Sequence, residues 1–214
     1  MPIRKVPLVK GSIYHIYNRS IGESKIFNCE ADYRKMLDVI IYYSTYGDIG
    51  KLPHSQKQKT VGKSFEYENL RPLIDIVAYC IMPTHIHLIL KEIVKSGISQ
   101  FVNRIFLSYS KHCNMNYGRK GPLWEGRFNN VLVETPEQLL HLTRYIHLNP
   151  VTAFIVDKPE KWPYSSYPEY IGWKTAGNIC KFKNYLEGLN KESYMEFVNS
   201  QIEYQRELAK VKTV

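Results

Sequence analysis

No two cysteines in this sequence stand at CxxC spacing: its four, Cys29, Cys80, Cys113 and Cys180, are scattered along the chain. That absence argues against a cysteine zinc cluster and supplies no disulfide framework, so a reducing, cytoplasmic setting is expected. Long apolar runs are missing as well, and the basic start Met1-Pro-Ile-Arg-Lys-Val-Pro is followed by no apolar stretch, so neither export nor a membrane role is expected. There is no internal repeat. Acidic residues are in short supply, with 20 Asp and Glu against 29 Lys and Arg and a net charge of +9. Such a surface attracts polyanions before any specific contact forms, which makes nucleic acid the leading partner, ahead of an anionic membrane surface.

What the chain does have is core-forming material: 44% of its 214 residues are apolar, enough for one domain or one domain with an appendage. Its 17 tyrosines offer flat faces that can stack on unpaired bases, although most are expected inside.

Residues 12–18, Ser-Ile-Tyr-His-Ile-Tyr-Asn, alternate and are β-rich, which predicts a strand. Ala31 to Tyr46 repeats apolar residues at helical spacing and closes at Gly47. The polar stretch 47–72 reads as a loop insertion. Leu73 to Ile81 and His85 to Lys91 flank Met82-Pro83-Thr84 as a hairpin, and Ile98, Phe101, Val102, Ile105, Phe106 and Tyr109 predict an amphipathic helix to about Asn116. Leu123 to Glu134 reads as a strand, and Thr135-Pro136-Glu137 starts a helix that Pro150 is expected to stop. A last helix is expected from about Glu192 to Lys210. The order predicts an α+β fold: a ferredoxin-like split βαβ core with an antiparallel sheet, helices on one face, an added helix, and a C-terminal helical extension. Residues 1–172 form the expected domain and 173–214 the extension.

On a strand, His85 and His87 at i and i+2 project from one face, so both imidazoles can reach one metal, while Ile86, Leu88 and Leu90 point into the core. Without further context the pair reads more readily as a polar sheet face. On a helix, Tyr145 and Asn149 lie one turn apart on one side, so a phenol able to attack phosphorus and an amide oxygen able to complete a metal shell can meet. Taken alone, that segment reads as a packed aromatic and a helix-ending residue before Pro150. Arg104, Lys111, Arg119, Lys120 and Arg127 alternate with Tyr109, Tyr117, Trp124 and Phe128, a pattern suited to tracking phosphates and stacking bases, although Trp124 and Phe128 read more readily as core.

Three motifs in order change the balance: His85-Ile86-His87 after Met82-Pro83, Leu123-Trp124-Glu125-Gly126-Arg127-Phe128, and Tyr145-Ile146-His147-Leu148-Asn149-Pro150-Val151. With Tyr14-His15-Ile16-Tyr17-Asn18-Arg19 and Trp162-Pro163-Tyr164-Ser165-Ser166-Tyr167, they resemble the single-tyrosine HUH transposases, in particular the branch of REP-associated tyrosine transposases, over most of residues 12–172. The resemblance implies that His85 and His87 are paired metal ligands, Tyr145 the nucleophile, and Asn149 the third ligand, where Gln is common in the better-known transposases. Thr84 stands where Asn or Asp is common before the first histidine. The implied cofactor is Mg2+ or Mn2+, with imidazole ligands favouring Mn2+. The implied activity is cleavage and rejoining of single-stranded or hairpin DNA through a 5′-phosphotyrosyl intermediate. A homodimer is compatible with it, since some relatives complete the site across a dimer and others act as monomers. Two rival functions stay open to the sequence: a single-stranded nucleic-acid-binding module without catalysis, and a metal-dependent nuclease that uses water, with Tyr145 structural.

Overall fold

The first strand, β1 (Ile13–Arg19), runs antiparallel to two neighbours, β3 (His85–Glu92) and β4 (Asn129–Val133), while β2 (Ile74–Ile81) pairs antiparallel with β3. The sheet order is therefore β2-β3-β1-β4. In this computed structural model the described residues are 6–46, 72–173 and 178–212, so the loop expected at 47–72 lies outside them except for Pro72. Helix α1 (Glu30–Tyr46) joins β1 to β2, and α2 (Gly97–Asn116) joins β3 to β4. Parallel strands β1 and β2 flank antiparallel β3, which is the split βαβ order within an α+β fold.

Strands β2 and β3 are buried almost throughout instead of on alternate residues, because both faces of the sheet are covered. Helices α1 and α2 pack on each other and on β2 and β3. Helix α3 (Pro136–Thr152) lies over the opposite face, where its Tyr145 meets histidines of β1 and β3. The buried stripe of α2, Ile98, Phe101, Val102, Ile105, Phe106, Tyr109 and Cys113, follows the three-and-four spacing of the sequence. Its first residue must be glycine: a Cβ on Gly97 would stand 2.2 Å from the Leu73 carbonyl oxygen.

Three elements depart from expectation. The strand expected from Leu123 shrinks to Asn129–Val133, because Gly126 adopts φ 50 and turns the chain; Trp124 keeps only an isolated bridge to Ser20. Leu123, Trp124 and Phe128 are apolar since they anchor this loop in the core, a pattern that mimics a strand. Helix α3 passes through Pro150 and ends at Thr152. Pro150 cannot donate to the Ile146 carbonyl; the Asn149 Nδ2 donates there at 3.4 Å and to the Tyr145 carbonyl at 3.1 Å, partly replacing the lost bond. The last expected helix is two, α5 (Lys191–Asn199) and α6 (Ile202–Lys212), both packed against α3 and separated at Ser200 and Gln201, where the chain tightens. A four-residue turn of helix, α4 (Tyr167–Tyr170), precedes them.

The outer edge of β2 is sealed by the chain itself. Ile81 and Ser166 N–H groups donate to Tyr164 and Tyr79 carbonyls at 2.9 Å, and the Lys181 N–H donates to the Ile76 carbonyl at 2.7 Å.

Candidate active site

The turn before β3 is held from several sides. Met82 and His85 exchange backbone hydrogen bonds, the Pro83 carbonyl accepts from Ile26 and Phe27, and the Thr84 carbonyl accepts from Ser20. Strand geometry then puts His85 and His87 on one face, their rings 5.0 Å apart and nearly perpendicular. Each ring uses Nδ1 inside the protein. His85 Nδ1 meets Thr84 Oγ1 at 3.0 Å, and His87 Nδ1 meets His15 Nε2 at 2.9 Å. Among the described residues neither Nε2 has a protein partner.

Burial holds both imidazoles below their ordinary value, reinforced at His87 by His15 and His85; at His85, Glu23 opposes the effect and Arg19 adds to it. Burial also lowers His15 to about 4. All three rings are neutral at neutral pH, the state in which an imidazole ligates a metal.

Helix α3 brings the second half of the site. The Tyr145 ring lies 5.9 Å from that of His87 and 6.3 Å from that of His15, edge-on to both. It is 49% exposed, and its hydroxyl has no protein partner among the described residues. Partial burial, with Tyr17 nearby, raises its pKa above 10. One turn on, Asn149 spends its Nδ2 on the helix backbone, which leaves Oδ1 as the end able to accept or to ligate. His85, His87, Tyr145 and Asn149 all line one open cavity of about 620 Å³.

Two imidazole nitrogens and an amide oxygen suit a divalent cation whose other positions are filled by water or phosphate oxygen. No group of three or more His, Cys, Asp or Glu able to hold a metal occurs among the described residues; Asn149 is one of the oxygen donors that line the cavity beside the two histidines, with Asn18, Glu23, Thr84, Glu125 and Asn129. The inward bonds on both Nδ1 atoms are the kind of outer support that orients ligating histidines.

The cavity also collects residues that the spacing arguments passed over: Tyr17, Asn18, Arg19, Glu23, Glu125 and Asn129. Arg19 Nε donates to Glu125 at 2.6 Å and its Nη1 to Glu23 at 2.8 Å. The alternation of β1 puts His15, Tyr17 and Arg19 on the face of His87, a signal that was present in the sequence; Glu125 sits on an irregular loop, where no period assigns a face.

The basic residues expected to meet DNA stand outside the cavity. Arg104 and Lys111 are on α2, Arg119 and Lys120 follow it, and Arg127 lies in the turn before β4. Their expected aromatic partners are mostly core: Tyr109, Trp124 and Phe128 are buried, Trp124 stacking on Phe106 at 4.2 Å, and Tyr117 alone of the four is exposed. The reason is that Tyr109 falls on the inward stripe of α2. His147, two residues after Tyr145, is wholly buried and turned away from the cavity, and His141 pairs with Arg144 at 2.9 Å on the outside of α3.

Comparison with known proteins adds three findings. Residues 53–149 match the family model described as "Transposase IS200 like". A Haemophilus influenzae protein named "Putative REP-associated tyrosine transposase" is 29% identical over 103 residues, 44% of this chain, and the match spans 58% of that relative's length. A solved structure of a REP-associated tyrosine transposase bound to a REP hairpin superposes with a TM-score of 0.58 at 18% identity, covering 80% of this chain and 86% of that one, a likeness of fold.

Proposed function

We propose that the chain, whose residues 53–149 match the IS200-like transposase family, is a member of that family in its single-tyrosine, REP-associated branch and cleaves and rejoins single-stranded DNA with Tyr145 as nucleophile. The observation that carries this is the meeting of a partly exposed, unpartnered phenol with two neutral imidazoles over one cavity. His85, His87 and Asn149 would hold a divalent cation, Mg2+ or Mn2+. When bound, that cation draws charge from a non-bridging phosphate oxygen and orients the phosphate for in-line attack.

The protein's own groups do the rest. Tyr145 Oη forms a bond to phosphorus as the bond from phosphorus to the 3′ oxygen breaks. The phenol gives up its proton, and the departing 3′ oxygen takes one up and becomes a hydroxyl. The 5′-phosphotyrosyl link conserves the phosphodiester energy, so attack by another 3′-hydroxyl rejoins DNA without ATP. Cavity walls at Tyr17, Thr84 and Asn129 confine the strand beside the phenol. Arg104, Lys111, Arg119, Lys120 and Arg127 would follow the phosphate backbone beyond the cavity, with a single-stranded or hairpin DNA as substrate. Residues 1–172, including an insertion at 47–72, would form the catalytic unit, and 173–214 an appended helical segment that braces α3.

The test is incubation with single-stranded hairpin DNAs and Mn2+, followed by denaturing electrophoresis and mass analysis of the linked peptide. A covalent adduct at Tyr145 is expected, and Tyr145→Phe should abolish it. Cleavage without an adduct would point to water as nucleophile, and binding without cleavage to a non-catalytic module.

A further inference from the structure

The two histidines over the cavity are supported differently. For His85 the inner partner is the hydroxyl of Thr84, its neighbour in sequence; for His87 it is another imidazole, His15, from β1. Strand register explains the meeting: Tyr17 stands opposite His87, and His15, two residues earlier in the strand, is its diagonal neighbour on the same face. The His15 and His87 rings stack at 5.1 Å, with Tyr17 and Tyr145 as further neighbours of His15 at 5.0 and 6.3 Å.

Between His15 Nε2 and His87 Nδ1, at 2.9 Å, lies one proton. If His15 carried it, His87 Nδ1 would be the acceptor and the ring's own hydrogen would sit on Nε2, the atom that faces the cavity. With the proton on His87 Nδ1, Nε2 presents a lone pair. Only the second arrangement allows His87 to ligate.

We propose that His15 is a positioning residue of the metal site: by accepting the Nδ1–H of His87 it fixes the tautomer and ring plane that turn His87 Nε2 toward the cation. This rests on the reading of His85 and His87 as ligands. His15 would not itself ligate the ion: its Nε2 is occupied by His87, and it would act through that ring.

The test titrates Mn2+ alone into the full-length protein by calorimetry, for wild type, His15→Phe, His15→Gln and His85→Ala, with the metal-free melting temperature of each. His15→Phe keeps a ring of similar size but loses the acceptor, and should bind Mn2+ about 10- to 100-fold more weakly. His15→Gln places an amide oxygen as many bonds from Cα as Nε2 and should restore affinity to within a few-fold. His15→Phe binding as wild type does, while His85→Ala loses affinity, would overturn the role of His15 and leave the metal site standing. Undiminished binding by His85→Ala would remove the site itself, and the proposal with it. A glutamine variant as weak as the phenylalanine one would also overturn the proposal, since accepting a hydrogen bond would then not suffice. Should His15→Phe fail to fold, imidazole 15N shifts of the metal-free wild type decide: His87 should be protonated at Nδ1, and protonation at Nε2 would refute the assignment.

Discussion

Burial lifts the Tyr145 phenol above its ordinary value of 10, so across pH 7 to 9 the group stays protonated and its phenolate fraction grows tenfold with each pH unit. His85 and His87 are held below 6.5 and have already lost their protons in that range, adding no opposing limb. The single-turnover cleavage rate should therefore climb about tenfold per unit from pH 7 to 9. A flat profile in rapid-quench measurements would mean that proton loss is no part of the slow step. At this scale much of the site was legible: two histidines two apart on a strand, and a tyrosine and an asparagine four apart on a helix, declare shared faces through period alone. The contact of His15 with His87 spans 72 positions and depends on which strands become neighbours, which no local period encodes. Aromatic residues misled for a related reason, because a ring that packs core and a ring that stacks on a base are the same residue type; Tyr109 belongs to the apolar stripe of α2, and Tyr117, just past its end, is the exposed one.

Among elements, α3 matters most, since it carries Tyr145 and Asn149 on one side and a closed hydrogen-bond chain on the other. His147 Nδ1 donates to Tyr194 Oη of α5 at 2.6 Å, Tyr194 donates to Thr143 Oγ1 at 3.0 Å, and Thr143 donates to the Leu140 carbonyl at 2.7 Å. On the far side of the ring Ser166 Oγ meets His147 Nε2 at 2.7 Å and accepts the Tyr79 N–H of β2 at 2.9 Å, its single hydrogen able to turn to Nε2 or to the Tyr79 carbonyl at 3.2 Å. One tautomer satisfies every member, and burial lowers His147 to about 3, so the chain stays neutral. Tyr194→Phe strips His147 Nδ1 of its acceptor and should cost about 1–3 kcal/mol in urea unfolding. A loss within error would show that α5 does not fix α3. The strand order followed from the alternation of β-like and helical segments. The run through Pro150 did not, because a side chain, Asn149, supplies the donor that the imide lacks.

For the whole molecule the excess of 29 Lys and Arg over 20 Asp and Glu is the long-range term. Each phosphate contact releases counterions from single-stranded DNA, giving a slope of roughly −0.7 per contact in log affinity against log salt. Removing one such contact with Lys120→Ala should weaken hairpin binding, nearly independently of sequence, and make the slope shallower by about that amount in fluorescence anisotropy. An unchanged slope would take Lys120 out of the interface.

Translation order gives the bond between His147 and Tyr194 a further meaning. A ribosome that has just released α3 has not yet made α5, so the nascent helix bearing Tyr145 emerges without the brace that seats it. The Tyr145 phenol is set in register only after dozens more residues have been added. A product terminated between the two helices would retain every cavity-lining side chain and still lack the part that holds one of them in place.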